Sequence, residues 1–361
     1  MYRIATIPGD GIGGEVLAEG IRVLDAVGDF EFTEFPWGSA YYGERGRMLA
    51  DDALDQLKPF DAIYFGAVGS REVPDHVSLW GLRLAICQGF DQWANVRPVH
   101  FYAGLPSRLR TDEQLNWICV RENSEGEYAG LGGRNLAARG NEVAVQTSLF
   151  TEYGCERIMR FAFELARTRE RRKVTSVTKS NAQQYGMVLW DEVFARVAKD
   201  YPDVETESWL VDAMAARFVL KPESLEVVVA SNLFGDILSD LGSALAGSLG
   251  LAASANLNPE GRFPSMFEPV HGSAPDIVGQ GIANPIGAIA SAALMLDHLG
   301  DSGDRVREAI AATIRDGVLT PDVGGDATTA EVTEAILARL ATSSSDPGSS
   351  SSPAAGDRAR P

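Results

Sequence analysis

Residues 227–250 read VVVASNLFGDILSDLGSALAGSLG. A short β-branched run passes, within a few residues, into a stretch whose apolar positions recur at helical spacing, so a buried strand feeds directly into a helix. The same change of period repeats along the chain. YRIATI is followed by EVLAEGIRVLDAV, FEFTEF by ADDALDQL, and DAIYFGAV by LWGLRLAI. Farther on, WICVREN and EVAVQTSLF precede the strong helix TEYGCERIMRFAFELARTR, and KVTSVTK precedes GMVLWDEVFARVAKD. IANPIGAIASAALMLDHLG and DRVREAIAATIRDG read as later helices. This alternation predicts an α/β protein in two layered units. Beyond Leu340, ATSSSDPGSSSSPAAGDRARP has almost nothing apolar to bury and reads as a disordered tail over 341–361.

With 361 residues and 45% apolar content the chain can build a large core or two domains. Fifty acidic against 32 basic residues give a net charge of −18, which repels nucleic acid backbones and anionic lipid while leaving room for a local anion site. No uninterrupted apolar run approaches membrane-span length, and MYRIATIPGDG starts as strand and glycine loop where a signal peptide would be basic and then apolar. The expected location is the cytoplasm. Cys87, Cys119 and Cys155 are scattered and odd in number, which fits reduced thiols, and with four histidines they form no zinc-like spacing.

GDGIGG at 9–14 satisfies the G-x-G-x-x-G spacing of a dinucleotide loop. The acid that should close the next strand is not cleanly placed, Glu31 and Glu34 being the candidates, so a tight turn at a site's edge is the stronger reading. Arg83, Arg97 and Arg121 stand at helix and strand positions in LRLAIC, NVRP and CVREN. Their planar forks suit a di- or tricarboxylate, and surface ion pairing is the plain alternative. Lys179 ends the apolar strand VTSVTK, where partial desolvation suits a proton acceptor. Tyr128, after ENSEGE, reads as a general acid or a packed ring. Asp236 and Asp240 share one helix face, an uphill arrangement unless a cation offsets it, and a solvated helix face is the plain alternative. Hard divalent ions accept such carboxylates, and Asp212 in WLVDAMAARFV is a candidate third ligand.

IPGDGIGGEV, NVRP, VRENSEGEY, VTKSNAQ, VDAMAARFV, SNLFGDILSDLG and FEPVHGSAPDIVGQGIANP together resemble the β-decarboxylating dehydrogenase family over residues 2–340. That family contains isopropylmalate, isocitrate, homoisocitrate, tartrate and D-malate dehydrogenases. ENSEGEYAG followed by GGR, and TKSNAQQYGMVLWDE, are most similar to the tartrate and D-malate branch. The resemblance implies two α/β domains with mixed sheets and no Rossmann fold: 1–93 plus 246–340 for NAD, and 94–245 for substrate, metal and dimer contacts. It places the ADP part of NAD on the loop of His271, Gly272, Ser273, Ala274, Asp276, Ile277 and Asn284. His271 would lie near adenine, Asp276 would hold the ribose hydroxyls, and Asn284 would contact the base. A carboxylate there favours NAD over its 2′-phosphorylated relative. The resemblance also assigns Mg²⁺ or Mn²⁺ to Asp212, Asp236 and Asp240, substrate carboxylates to Arg97 and Arg121, with Asp212 beside the substrate, and proton transfer to Lys179 and Tyr128. Asp212 and Lys179 would come from the second copy of a homodimer.

One position departs from the family. Ten residues before Arg97, where an Arg is usual, stands Cys87, and Arg83 lies one helical turn earlier on the same face. Arg83 is therefore expected to supply the missing carboxylate contact or to touch the substrate's variable group. The expected activity is NAD- and metal-dependent oxidation and β-decarboxylation of a malate-like 2-hydroxy diacid, D-malate or tartrate. A 3-isopropylmalate dehydrogenase and a non-catalytic metabolite-binding homologue are the alternatives.

Overall fold

The structure, a computed structural model, describes residues 1–105, 109, 115–136 and 140–343. The first third runs β1 (Tyr2–Gly9), α1 (Gly13–Val27), β2 (Phe30–Glu34), α2 (Ser39–Arg45), α3 (Ala53–Leu57), β3 (Ala62–Ala67), α4 (Asp75–Gly81) and α5 (Arg83–Gly89). The middle runs β4 (Ala94–His100), β5 (Asn116–Glu122), β6 (Gly126–Asn135), β7 (Val143–Leu149), α6 (Glu152–Arg167), β8 (Lys173–Thr178), α7 (Gly186–Val197), β9 (Glu205–Leu210), α8 (Val211–Leu220), β10 (Val227–Ala230) and α9 (Asn232–Ala246). The chain closes with β11 (Ala253–Leu257), β12 (Ser265–Pro269), α10 (Ile286–Leu299), α11 (Asp304–Arg315) and α12 (Thr329–Ser343). Helix α12 thus enters the stretch read as a tail, whose remainder from 344 lies outside the described residues.

Ten strands form one sheet in the order β2-β1-β3-β12-β11-β4-β5-β10-β8-β9. Its two flanks are parallel, as strand-helix-strand repeats require. Between them, β12-β11, β11-β4 and β4-β5 are antiparallel, so the flanks run in opposite directions and meet in a central seam. The sheet is mixed and has no Rossmann order. Three apolar clusters form: one gathers residues from Trp93 to Ala246, a second joins residues between Ile4 and Val96 to those between Leu251 and Leu340, and a third gathers residues between Ala5 and Phe90 with Met266. No helix among the described residues is long and apolar enough to cross a membrane.

Two local differences from the sequence reading matter. LWGLRLAI is not one helix: the chain breaks at Leu82, whose side chain is fully buried, and Arg83 opens α5 with Cys87 on the same buried face. β7, the strand of EVAVQTSLF, stands outside the main sheet, pairing only with β6, and all seven of its residues are exposed.

The opening stretch forms β10 and α9, and its glycines explain how close α9 lies. A Cβ on Gly235 would meet the Cβ of Arg121 at 2.7 Å and its Cα at 3.2 Å, so α9 rests directly on β5 because nothing projects there. That contact lets Asp236, the next residue, reach the arginines of the sheet. Gly235→Ala should overpack this joint and lower stability by about 1–3 kcal/mol. Urea unfolding followed by tryptophan fluorescence measures it, and an unchanged midpoint would mean that α9 is free to shift.

Candidate active site

A cleft opens where α5, β4, β5, β6, α9 and the end of β12 converge, lined by Arg83, Arg97, Arg121, Tyr128, Asp236, Asp240, Glu268, His271 and Gly272, with the β3 exit at Phe65–Val68. Arg97 and Arg121 are buried on neighbouring antiparallel strands, and both reach toward α9. Arg121 donates Nε and Nη2 to Asn232 Oδ1 at 3.0 and 2.7 Å, and a very short contact joins its Nη1 to Asp236. Arg97 Nη1 donates to Ser239 at 2.8 Å and lies 3.2 Å from Asp236 and 3.5 Å from Asp240. Its Nε is buried with no protein partner. Tyr128 stacks its ring against the Arg121 guanidinium, 5.2 Å away, and donates its hydroxyl to Asp236 Oδ2 at 3.3 Å.

The electrostatics separate the two aspartates. Burial opposes ionisation of Asp236, but Arg121, Arg97 and Arg83 overcome it and hold the carboxyl below the usual range. Burial, reinforced by Asp236, outweighs Arg97 and Arg121 and holds Asp240 above that range. Asp240 Oδ1 is buried without a hydrogen bond; Arg97 stands within ion-pair reach but not in bonding geometry. Burial pushes Arg121 down to about 10, which leaves it charged at neutral pH. Burial, reinforced by Asp236, raises Tyr128 and keeps its hydroxyl protonated.

Arg83 is buried beneath the cleft. Its Nε donates to Glu268 Oε1 at 2.8 Å, its Nη2 lies 2.6 Å from the same oxygen as an ion pair, and Nη2 donates to Asn256 Oδ1 at 3.1 Å. Its Nε and Nη2 are therefore held within the protein. Burial raises the adjacent Cys87 thiol to about 11, so it is no nucleophile at neutral pH.

Lys179 and Asp212 stand apart from this cleft. They follow the carboxyl ends of the adjacent parallel strands β8 and β9, and Lys179 Nζ donates to Asp212 at 2.5 Å on the surface. No cluster of three or more His, Cys, Asp or Glu forms among the described residues, so one chain brings together Asp236 and Asp240 but not Asp212.

The predicted adenosine loop leaves β12 and passes over GDGIGG. His271 Nδ1 lies 2.9 Å from the Gly272 carbonyl, leaving Nε2 buried and unpartnered, and burial lowers its pKa so that the ring is neutral. Ile12 N donates to Ser273 O at 2.9 Å, and a Cβ on Gly11 would fall 2.0 Å from that same oxygen. Asp10 in turn accepts from Ser39 N, Ser39 Oγ and Gly69 N at 2.7–2.9 Å. The glycines of GDGIGG thus serve packing between loops, as the turn reading expects. Ala274 holds a φ of 40°, a strained left-handed conformation for a side chain with a Cβ. Ile277 packs half-buried against the core, and Asp276 is exposed in an ion pair with Arg71. Asn284 is buried, donating to Asp322 at 3.1 Å and accepting from Ile286 N at 3.0 Å at the start of α10, so its amide already has structural work.

Glu268, Asn256, Arg71 and Asp10 were not singled out from sequence. Glu268 carried a signal, being the one acid in the buried strand SMFEP. The others did not, since their partners are distant in the chain.

The isocitrate/isopropylmalate dehydrogenase family profile matches residues 3–336. A probable tartrate dehydrogenase/decarboxylase of Agrobacterium vitis is 56% identical over 350 residues, covering 94% of this chain and 98% of the relative. The D-malate dehydrogenase (decarboxylating) of Escherichia coli strain K12 is 51% identical, covering 92% of this chain and 97% of the relative. The crystal structure of isocitrate dehydrogenase from Methylococcus capsulatus superposes with a TM-score of 0.88 at 36% identity, covering 94% of this chain and 99% of that one. Fold, motifs and full-length similarity agree that the chain belongs to the isocitrate/isopropylmalate dehydrogenase family.

Proposed function

We propose that this chain is an NAD-dependent, divalent-metal-dependent dehydrogenase that oxidises and β-decarboxylates a malate-like 2-hydroxy diacid, D-malate or tartrate, as a cytoplasmic homodimer. The observation that carries this reading is the pair of buried arginines, Arg97 and Arg121, facing Asp236, Asp240 and the Tyr128 hydroxyl in one cleft. The similarity to a tartrate dehydrogenase/decarboxylase and to a decarboxylating D-malate dehydrogenase supports the substrate class.

The residues fit a hard divalent cation. Asp240 keeps a buried carboxylate oxygen without a hydrogen bond, beside the ionised Asp236 on the same helix face. Asp236 and Asp240 would hold Mg²⁺ or Mn²⁺ together with the partner's Asp212. When bound, the ion supplies Lewis-acid polarisation at the reacting carbonyl. NAD, seated on the loop from His271 to Asn284, supplies the hydride acceptor. Asp276, now paired with Arg71, would hold the ribose hydroxyls, and Gly272, Ser273, Ala274 and Ile277 would shape the loop beside it.

The chain's own groups do the remaining work. Arg97 and Arg121 bind and orient the diacid's carboxylates, the unpartnered Nε of Arg97 being a buried donor ready for one. The partner's Lys179 accepts the proton of the 2-hydroxyl as oxidation proceeds. Tyr128, kept protonated by burial and by Asp236, returns a proton to C3 after carbon dioxide leaves. The shared site also accounts for the exposed apolar surface. Leu131, Val143, Val145 and Leu149 on the β6–β7 arm, and Ile237 on α9, are exposed in one chain and would be covered in the proposed dimer.

Absorbance at the NADH wavelength, with D-malate, tartrate, 3-isopropylmalate and isocitrate in the presence and absence of Mn²⁺, tests the activity. Turnover of D-malate or tartrate with NAD and Mn²⁺ is expected; none with any acid, or turnover of 3-isopropylmalate alone, would overturn the proposal. Asp240→Asn should raise the Mn²⁺ needed for half-maximal rate by roughly tenfold or more.

Subunit mixing tests the shared site. Lys179→Ala and Asp236→Asn chains, each inactive alone, should regain roughly a quarter of wild-type activity after co-refolding, since half of the dimers then contain one intact site of two. No recovery, with mixed dimers confirmed by mass, would place each site within one chain.

A further inference from the structure

Glu268 and Arg83 form the polar centre of the sheet's antiparallel seam. Glu268 Oε1 accepts from Arg83 Nε at 2.8 Å and Asn256 Nδ2 at 2.7 Å, and Arg83 Nη2 lies 2.6 Å from it as an ion pair. Asn256 Oδ1 accepts from Arg83 Nη2 at 3.1 Å, Asn95 Nδ2 at 2.9 Å and Asn123 Nδ2 at 3.1 Å. All five side chains belong to buried residues. They come from α5, β12, β11, β4 and the residue following β5, so the network ties the cofactor-side flank to the strands that carry Arg97 and Arg121.

The charges also balance. Arg83, Arg97 and Arg121 face Asp236, Asp240 and Glu268, three of each sign, along the cleft. Without Arg83, the buried Glu268 carboxylate would stand uncompensated beside a site for a dianion, which is costly both for folding and for binding. With Arg83 in place, two hydrogen bonds and the ion pair on Oε1 fix the carboxylate and orient Asn256, which in turn holds Asn95 on the strand of Arg97.

We propose that Arg83 is a positioning residue acting through Glu268 and Asn256, and that the diacid is met by Arg97 and Arg121 without direct contact from Arg83. This recasts the carboxylate-contact role expected from sequence, and it rests on the cleft being the diacid site. It accounts for a family position occupied by Cys87: the cation nearby serves the seam, and the substrate carboxylates are left to the two strand arginines.

The test is a double-mutant cycle of Arg83→Met and Glu268→Gln, read by thermal melting, NADH fluorescence titration, and separate kcat and KM for the diacid. Each single change leaves one buried charge without its partner, whereas the double variant leaves none. Both single variants should therefore melt lower and bind NADH and diacid more weakly, and the double variant should return diacid KM to within about threefold of wild type. A direct contact predicts another pattern: diacid KM raised by about tenfold or more in Arg83→Met and still raised in the double variant, the loss of a charged hydrogen bond to substrate. That result, or additive melting shifts, would overturn the proposal. If a single variant fails to fold, Arg83→Lys against the double variant keeps the comparison: lysine retains the charge, so its diacid KM should also stay near wild type, while a tenfold rise shared by both would again indicate contact. If the wild type turns over no diacid, the functional reading fails on its own terms; non-additive melting and NADH binding would still show Arg83 acting through Glu268, and additivity would refute it.

Discussion

The close seating of α9 on β5 is the constraint on which the cleft depends. It exists because Gly235 presents no side chain to Arg121. A buried guanidinium loses the solvation of water, and the fall of Arg121 to about 10 records that loss. Asp236 compensates it, but only from a helix that lies against the strand. Arg97, two strands' width from the β10 that leads into α9, meets the same helix through Ser239 and Asp236. One glycine, two arginines and one aspartate thereby set the distance between helix and sheet and, with it, the width of the site.

The antiparallel seam determines what can stand opposite that helix. A purely parallel doubly wound sheet directs its strand ends to one edge, where loops build the ligand site. Here the two parallel flanks run in opposite directions, so the exit of β12 toward His271 and the middle of β4 and β5 come to one place. A mid-strand side chain such as that of Arg97 can then line a cleft, while Asn95 on the same strand is fully buried. Their burial requires partners, and the Asn256–Glu268–Arg83 network satisfies that requirement beneath the cleft.

Period and motif made much of this legible. The strand-to-helix passage at 227–246 is visible because β-branched residues give way to apolar residues at helical spacing, and the same change marks β1 with α1 and β8 with α7. β11 and β12 are harder to read, since ASANL and SMFEP are short and β11 carries small and polar residues that pack only in the central seam. The break at Leu82 leaves no composition signal, because a buried Leu fits a helix and a helix break equally well. Arg83, Arg97 and Arg121 stood out as a set, but not the division among them. That division depends on Glu268 lying 185 residues from Arg83, and pairing at such separation is a property of the fold. For the same reason Asn284 reads as a polar loop residue, whereas its amide caps the start of α10 and binds Asp322.

Asp240 shows why two like charges one turn apart are informative when their surroundings differ. Asp236 has Arg121 and Arg97 within contact and is ionised more readily than an ordinary carboxyl. Asp240 has Arg97 alone, at 3.5 Å, and burial holds its pKa high. A solvated helix face would expose both carboxylates alike and shift neither far. Instead the sheet supplies enough positive charge for one aspartate and leaves the other short, with an oxygen turned inward that no protein donor reaches. An additional arginine would close that gap permanently. Its absence suits the proposed cation, and Lys179 and Asp212, each the other's partner on the surface of one chain, would exchange that partnership in the proposed dimer.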